Sequence, residues 1–247
     1  PILDGAVGCY NKILESDPSD EEVLASLETL YRVRERWNEL LGVLRRKTEL
    51  TADPERKEAL LAQMAEVHQE KLGEAQEAIA RYREILEIDP ASARSLSALD
   101  ALYEGQAMWA ELADNVSRQL DLAEDPEQQT AYMLRLAALR EHRMGAVEAA
   151  IEIYREVLSR DPSNPVALSA LERLMLNPEH ELAIAEVLEP LYGDSAEYRK
   201  LVGVHEIQAR HAGSVEQRVQ LLHTIADLYE TQLGELPSAV DAYARAL

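Results

Sequence analysis

Apolar residues recur at spacings of three and four along nearly the whole chain, the period of helices with one buried stripe. Residues 54–72 place Leu61, Met64, Ala65, His68 and Leu72 on one face. Asp53 stands where it caps that helix, Pro54 takes the first position, where a missing N–H costs nothing, and Gly73 ends it. A second helix over about 74–88 carries Ala78, Ile79, Tyr82, Ile85 and Leu86 and stops at Asp89-Pro90, so the two predict a helical hairpin. Leu96, Leu99, Leu102 and Tyr103 predict the next helix, and Trp109, Leu112, Val116 and Leu120 its partner. No stretch alternates like a strand. The expected class is all-α, with about fourteen helices, the first near residues 4–16, joined by short linkers.

The pattern is periodic. Tyr10, Tyr82 and Tyr154 lie 72 residues apart, as do Asp17-Pro18, Asp89-Pro90 and Asp161-Pro162, and residues 6–55 align with 78–127 at 19 identities in 50 positions. Beyond residue 162 the offset becomes 89, because Tyr154 maps to Tyr243, Gly145 to Gly234 and Tyr103 to Tyr192. Seventeen residues, the size of one helix, are therefore inserted before Glu186, within Val166–Ala185. A fixed period means a stacked array in place of a single globule. We expect one continuous α-α solenoid over 1–247, irregular near 166–185, with both ends falling inside repeats as if cut from a longer array. Pro190 is expected to kink the helix over about 180–193, by drift or as a hinge or docking surface.

Residues 59–90, ALLAQMAEVHQEKLGEAQEAIARYREILEIDP, resemble the tetratricopeptide repeat through Ala65, Gly73, Ala78, Ile79, Tyr82 and the closing Asp-Pro. The same points recur at Ala137, Gly145, Ala150, Ile151, Tyr154 and Pro162, and at Ala226, Gly234, Ala239, Val240 and Tyr243. The hairpins between are weaker: they lack the small residue and the turn glycine and begin their second helix at Trp37, Trp109 or Tyr198. The stronger repeats carry one extra residue in their first helix. The resemblance implies a right-handed superhelix of TPR-like hairpins whose first helices line a concave groove for a peptide or protein. By that analogy the groove residues are Arg32, Glu66, Gln69, Arg94, Ser97, Glu104, Glu141, Asp227 and Glu230. The competing reading of the same positions is an ordinary solvated helix face. Family members that hold acidic chaperone tails use Lys, Arg and Asn there, whereas this chain has Ala25, Ala62, Glu66, Ser97 and Ala101.

Charge sharpens the choice of partner. With 25 basic and 46 acidic side chains the net charge is -21, spread evenly over both halves. Such a surface repels phosphate backbones and anionic headgroups, which argues against nucleic acid and membrane and for a partner with a basic segment. Arg45-Arg46-Lys47, with Arg32, Arg34 and Arg36, is the one basic concentration and reads as a solvated face. No run is long and apolar enough to span a membrane. The single cysteine, Cys9, has no activating neighbour at its spacing. The cytoplasm is the favoured compartment, and an Arg-rich, Phe-free composition suggests a bacterial source.

Candidate chemistry is thin. His205-Glu206 lacks the second histidine one turn on that zinc ligation needs, because position 209 is Ala and His211 lies far round the helix. His68 sits in a packing slot held elsewhere by Arg140 and Tyr229, and Gly5–Gly8 aligns with helix and has no phosphate-loop pattern. The expectation is no catalysis, no metal and no cofactor. Three roles remain: a binding scaffold, a regulatory or spacer arm of a larger enzyme or signalling protein, and self-association through the array ends.

Overall fold

The computed structural model describes residues 2–247, with side chains from Gly5 onward; the N-terminal proline lies outside the described residues. Fourteen helices and no strand are found among the described residues, in two compact units, Pro1–Leu122 and Ala123–Leu247. In the first unit α1 (Ile2–Ser16) precedes three hairpins: α2 (Glu21–Val33) with α3 (Trp37–Leu50), α4 (Pro54–Glu66) with α5 (Ala75–Ile88), and α6 (Ala93–Gly105) with α7 (Trp109–Leu122). Each helix packs on the next in sequence, so α3 meets α4 and α5 meets α6 between hairpins. Leu24, Leu27, Leu40 and Leu44 are fully buried in that stack.

The second unit pairs α8 (Pro126–His142) with α9 (Val147–Arg160), then α11 (Glu181–Asp194) with α12 (Tyr198–Arg210), and α13 (Val215–Asp227) with α14 (Leu236–Ala246). Between the first two pairs stands the additional helix α10 (Pro165–Leu174), which packs on α9. It starts on the cap residue Asn164, one period after Ser92, while Tyr192 of α11 occupies the place of Tyr103. The helix α11 is continuous, with Pro190 inside its last turn and a half.

Side-chain caps set where the helices begin. Asp53, Asp125 and Ser214, separated by the offsets of 72 and 89, accept from the backbone N–H of Glu55, Gln128 and Gln217 respectively. Asp20 and Asn164 do the same for α2 and α10. The Asp-Pro dipeptides close the other hairpin ends: Asp17, Asp89 and Asp161 each accept from the N–H two residues on.

The turns inside the hairpins all use one left-handed residue. In the stronger repeats it is Gly73, Gly145 and Gly234, with φ of 69°, 66° and 68°. In the weaker ones it is Glu35, Ala107 and Ala196, with φ of 55°, 54° and 57°. Around Ala107 the Met108 N–H donates to the Tyr103 carbonyl at 2.8 Å and the Ala107 N–H to that of Glu104 at 3.1 Å, the bond pair that closes a helix on a left-handed residue. Glu35 and Ala196 repeat it. The extra residue of the stronger repeats is absorbed just before the glycine, as a wide π turn at Val67–Leu72 and at Leu228–Leu233. In α8 it leaves a single bond of the same span, from Met144 N–H to the Leu139 carbonyl.

A side chain in the left-handed region costs roughly 1–2 kcal/mol, partly offset by the greater unfolded-state entropy of glycine. Ala107→Gly is therefore expected to stabilise the protein by about 0.5–1 kcal/mol, read as a raised urea midpoint at unchanged slope.

Arg245 on α14 reaches Glu206 on α12 with both terminal nitrogens, at 2.8 and 2.6 Å. That grip holds the Glu206 carboxyl below the usual carboxylate range. A depressed folded-state value stabilises the protein above the unfolded glutamate value and ceases to do so as pH falls through the folded one. In thermal melts from about pH 7 to about pH 3, Glu206→Gln should be the less stable protein near neutrality and show the shallower loss on acidification.

Candidate functional site

In the first unit the first helices of successive hairpins are tied by polar side chains. Arg32 on α2 donates to Gln63 on α4 and to Glu28 on its own helix, both at 3.0 Å. Arg56 on α4 holds Glu21 on α2 through two bonds, and Arg94 on α6 pairs with Glu66 on α4. Three of the nine candidate groove residues, Arg32, Glu66 and Arg94, thus lie in one run across α2, α4 and α6. Gln69, Ser97 and Glu104 are exposed. Lys47, from the basic concentration, is drawn inward to Glu28 at 2.5 Å.

The other three candidates face tyrosines. Glu141 is buried, its side chain 4% exposed, where it accepts from Tyr154 Oη at 3.1 Å and from Arg173 of α10 at 2.5 Å. It is part of the interior of its hairpin and is not available as a free groove carboxylate. Asp227 and Glu230 are exposed, and both accept from Tyr243 Oη, at 2.7 and 3.3 Å. Burial and then the Glu141 charge push the Tyr154 phenol up to about 12. The Asp227 hydrogen bond and then desolvation do the same for Tyr243, also to about 12. Burial raises Tyr192 as well, with Glu172 accepting its proton at 2.7 Å. These hydroxyls stay protonated and act as fixed donors: Tyr154 and Tyr243 join the two helices of a hairpin, and Tyr192 joins α11 to α10.

The weaker hairpins use a different clasp. Glu28, Asp100 and Glu189 on first helices accept from Lys47, Gln119 and Gln208 on second helices, at 2.5, 3.0 and 2.6 Å. Each pair spans 19 residues. Asp100 also takes the buried Asn115 amide at 2.7 Å.

One cavity in the second unit was not among the sequence candidates. It holds about 580 Å³ between α11, α12 and α13, and Glu186, Glu189, His205, Gln208, His211, Gln217, Gln220 and Thr224 supply its polar lining. The His205 side chain is 8% exposed, with Nδ1 2.9 Å from Gln208 Oε1. His211 turns instead to Glu181, at 2.7 Å. The available signal was Ser97: its counterpart 89 residues on is Glu186, a position hidden by the insertion. Among the described residues no group of three or more His, Cys, Asp or Glu side chains is arranged to hold a metal, and no helix is long and apolar enough to cross a membrane. Cys9 is an exposed free thiol.

Removing the Tyr154 hydroxyl leaves Glu141 short of one buried partner, which costs about 1–2 kcal/mol. Tyr154→Phe should lower stability by that amount in urea denaturation, with helical content unchanged.

The tetratricopeptide repeat model matches residues 131–164, which hold most of α8, α9 and the turn after it. No curated protein sequence matches the chain. Among solved structures the chain is similar to a tetratricopeptide repeat protein from Parabacteroides merdae, at 16% identity and TM-score 0.39 over 99% of this chain and 85% of that one. It is similar to a chain of the Naa15/Naa10 assembly bound to HypK-THB, at 14% and 0.49, where 97% of this chain spans 36% of the other. The TPR2AB domain of yeast Sti1 in its pHSP90 complex aligns at 19% and 0.33, over 99% and 92%.

Proposed function

We propose that this chain of tetratricopeptide repeats is a non-catalytic scaffold that binds a peptide or protein, with a basic segment of the partner laid along the first-helix face of its hairpins. The observation that carries the reading is the continuity of that face in the first unit, where Arg32–Gln63 and Glu66–Arg94 join three successive first helices. Stacked hairpins bury surface only against their neighbours, so a face of this kind is free to vary in sequence without cost to the core. Gln69, Ser97 and Glu104 leave it polar and exposed. A chain of net charge -21 attracts basic segments and repels acidic ones over a Debye length, which speeds the right encounters and suppresses wrong ones.

The scaffold reading is tested by fluorescence anisotropy with labelled extended peptides of matched length, one set basic and one acidic. Basic peptides should bind saturably, on the order of tenfold more weakly when salt rises from about 50 to about 300 mM. Glu66→Lys with Glu104→Lys should weaken them further. Equal binding of both peptide sets, or indifference to the double variant, would overturn it.

A further inference from the structure

The two units solve the same electrostatic problem differently, and the difference exposes a site. The junction of α11, α12 and α13 corresponds, 161 residues on, to that of α2, α3 and α4. In the first unit three cations fill the place: Lys47 and Arg32 on Glu28, and Arg56 on Glu21. Their counterparts are Gln208, Gly193 and Gln217, so every one of these cations is gone. Glu21, the partner of Arg56, becomes Leu182, while the acid at the centre remains, as Glu189 for Glu28, and a further one appears, as Glu186 for Ala25.

The hydrogen bonding inside the cavity runs one way. Glu189 is a carboxylate and accepts, so the Gln208 Nε2–H donates to it at 2.6 Å, which turns the Gln208 Oε1 toward His205. That oxygen can only accept, so His205 donates from Nδ1, which also lies 3.9 Å from Glu189 Oε1, and in the neutral imidazole Nε2 is the acceptor. Nε2 has no protein partner, and the side chain is more than nine-tenths buried against the cavity. Glu186 lines the same cavity, with no ion pair to a side chain of this chain, three residues before Glu189 and on the same face of α11. Its walls thus offer two carboxylates and the His205 ring, beside His211, Gln217, Gln220 and Thr224. The slot that holds His205 carries Leu44 and Val116 in the earlier hairpins, both wholly buried. Placing an imidazole there gives up apolar packing, a departure from local consistency of the sort found at functional positions.

We propose that this cavity of about 580 Å³ is a recognition pocket for an arginine side chain of the bound partner, seated on Glu186, Glu189 and His205 Nε2. The inference rests on the scaffold reading and names the residue that anchors the partner in the second unit. Two carboxylates with no Lys or Arg of this chain on them call for a cationic donor, and a guanidinium has five N–H donors in a planar fork and no acceptor. Lysine has three donors on one nitrogen and reaches fewer of these acceptors at once. The incoming guanidinium takes over the part that Lys47 and Arg32 play from within at Glu28.

The test is titration of the full chain with N-acetyl-arginine amide, followed by side-chain amide and imidazole NMR signals, with N-acetyl-citrulline amide as the isosteric uncharged control. The arginine compound should shift Gln208, Gln220 and His205 signals saturably, with a dissociation constant on the order of millimolar, and the citrulline compound should not. Glu186→Gln, at an exposed position, should weaken binding on the order of tenfold without altering the fold. Gly193→Arg restores from within the cation that α2 has as Arg32; a Cβ there meets nothing within 4 Å, and the variant, its helical content checked by circular dichroism, should block the probe. Equal shifts with citrulline, no saturable shift at these groups, or undiminished binding to Gly193→Arg would each overturn the pocket. Anisotropy with basic peptides on Gly193→Arg separates the two ideas: peptide binding as tight as to the unaltered chain removes the pocket as the partner's anchor and leaves the scaffold.

Discussion

Every hairpin turns on one residue held in the left-handed region, and the register of the array depends on those six residues. Glu35, Gly73, Ala107, Gly145, Ala196 and Gly234 follow one another in alternating steps of 38 and 34 residues, apart from a single step of 51 that contains α10. A helix can be left in only a few ways, and the left-handed exit fixes the direction in which the next helix starts. A residue lost or gained on either side would rotate a buried stripe by about 100° and bring charged side chains into the stack. The extra residue of the stronger repeats is therefore taken up before the glycine, as a π turn, and the insertion enters as a whole helix.

Much of this was legible in the sequence, and the parts that were not share a cause. Asp53, Pro54, Gly73 and the Asp-Pro pairs announce helix ends because each has a conformational preference strong enough to be read alone. Glu35 and Ala107 have none: both are good helix formers, and their left-handed geometry is imposed by the helices they join. The expectation of second helices beginning at Trp37, Trp109 and Tyr198 was correct because large apolar residues announce the start of a buried stripe. Glu141 was misread as groove because helical position alone shows only a face. Its burial depends on Tyr154 from α9 and on Arg173 from α10, the helix without a counterpart elsewhere.

The same limit hid the α11–α13 cavity. Gly193, Gln208 and Gln217 are unremarkable one at a time, and Glu186 sits behind a change of register. Only the comparison with Arg32, Lys47 and Arg56 turns three neutral residues into three missing cations. What the sequence encodes there is a difference between two copies of one structure, which no periodicity or single motif displays.

The acidity of the chain gains structure from this contrast. A net charge of -21 repels itself, and the fold contains that repulsion where arginines and lysines meet carboxylates across hairpins, as at Glu21, Glu66, Glu172 and Glu206. Exposed pairs of this kind contribute little to stability one by one, so their chief effect is to decide which acids remain unneutralised. At the α2–α4 junction the acids are matched by cations of the same chain. At the α11–α13 junction they are not, and an imidazole replaces an aliphatic side chain beside them. At Leu44 and Lys47 the chain keeps a buried aliphatic side chain and a cation; at His205 and Gln208 it keeps neither, so Glu189 has the Gln208 amide as its partner and Glu186 faces the cavity without a Lys or Arg of this chain.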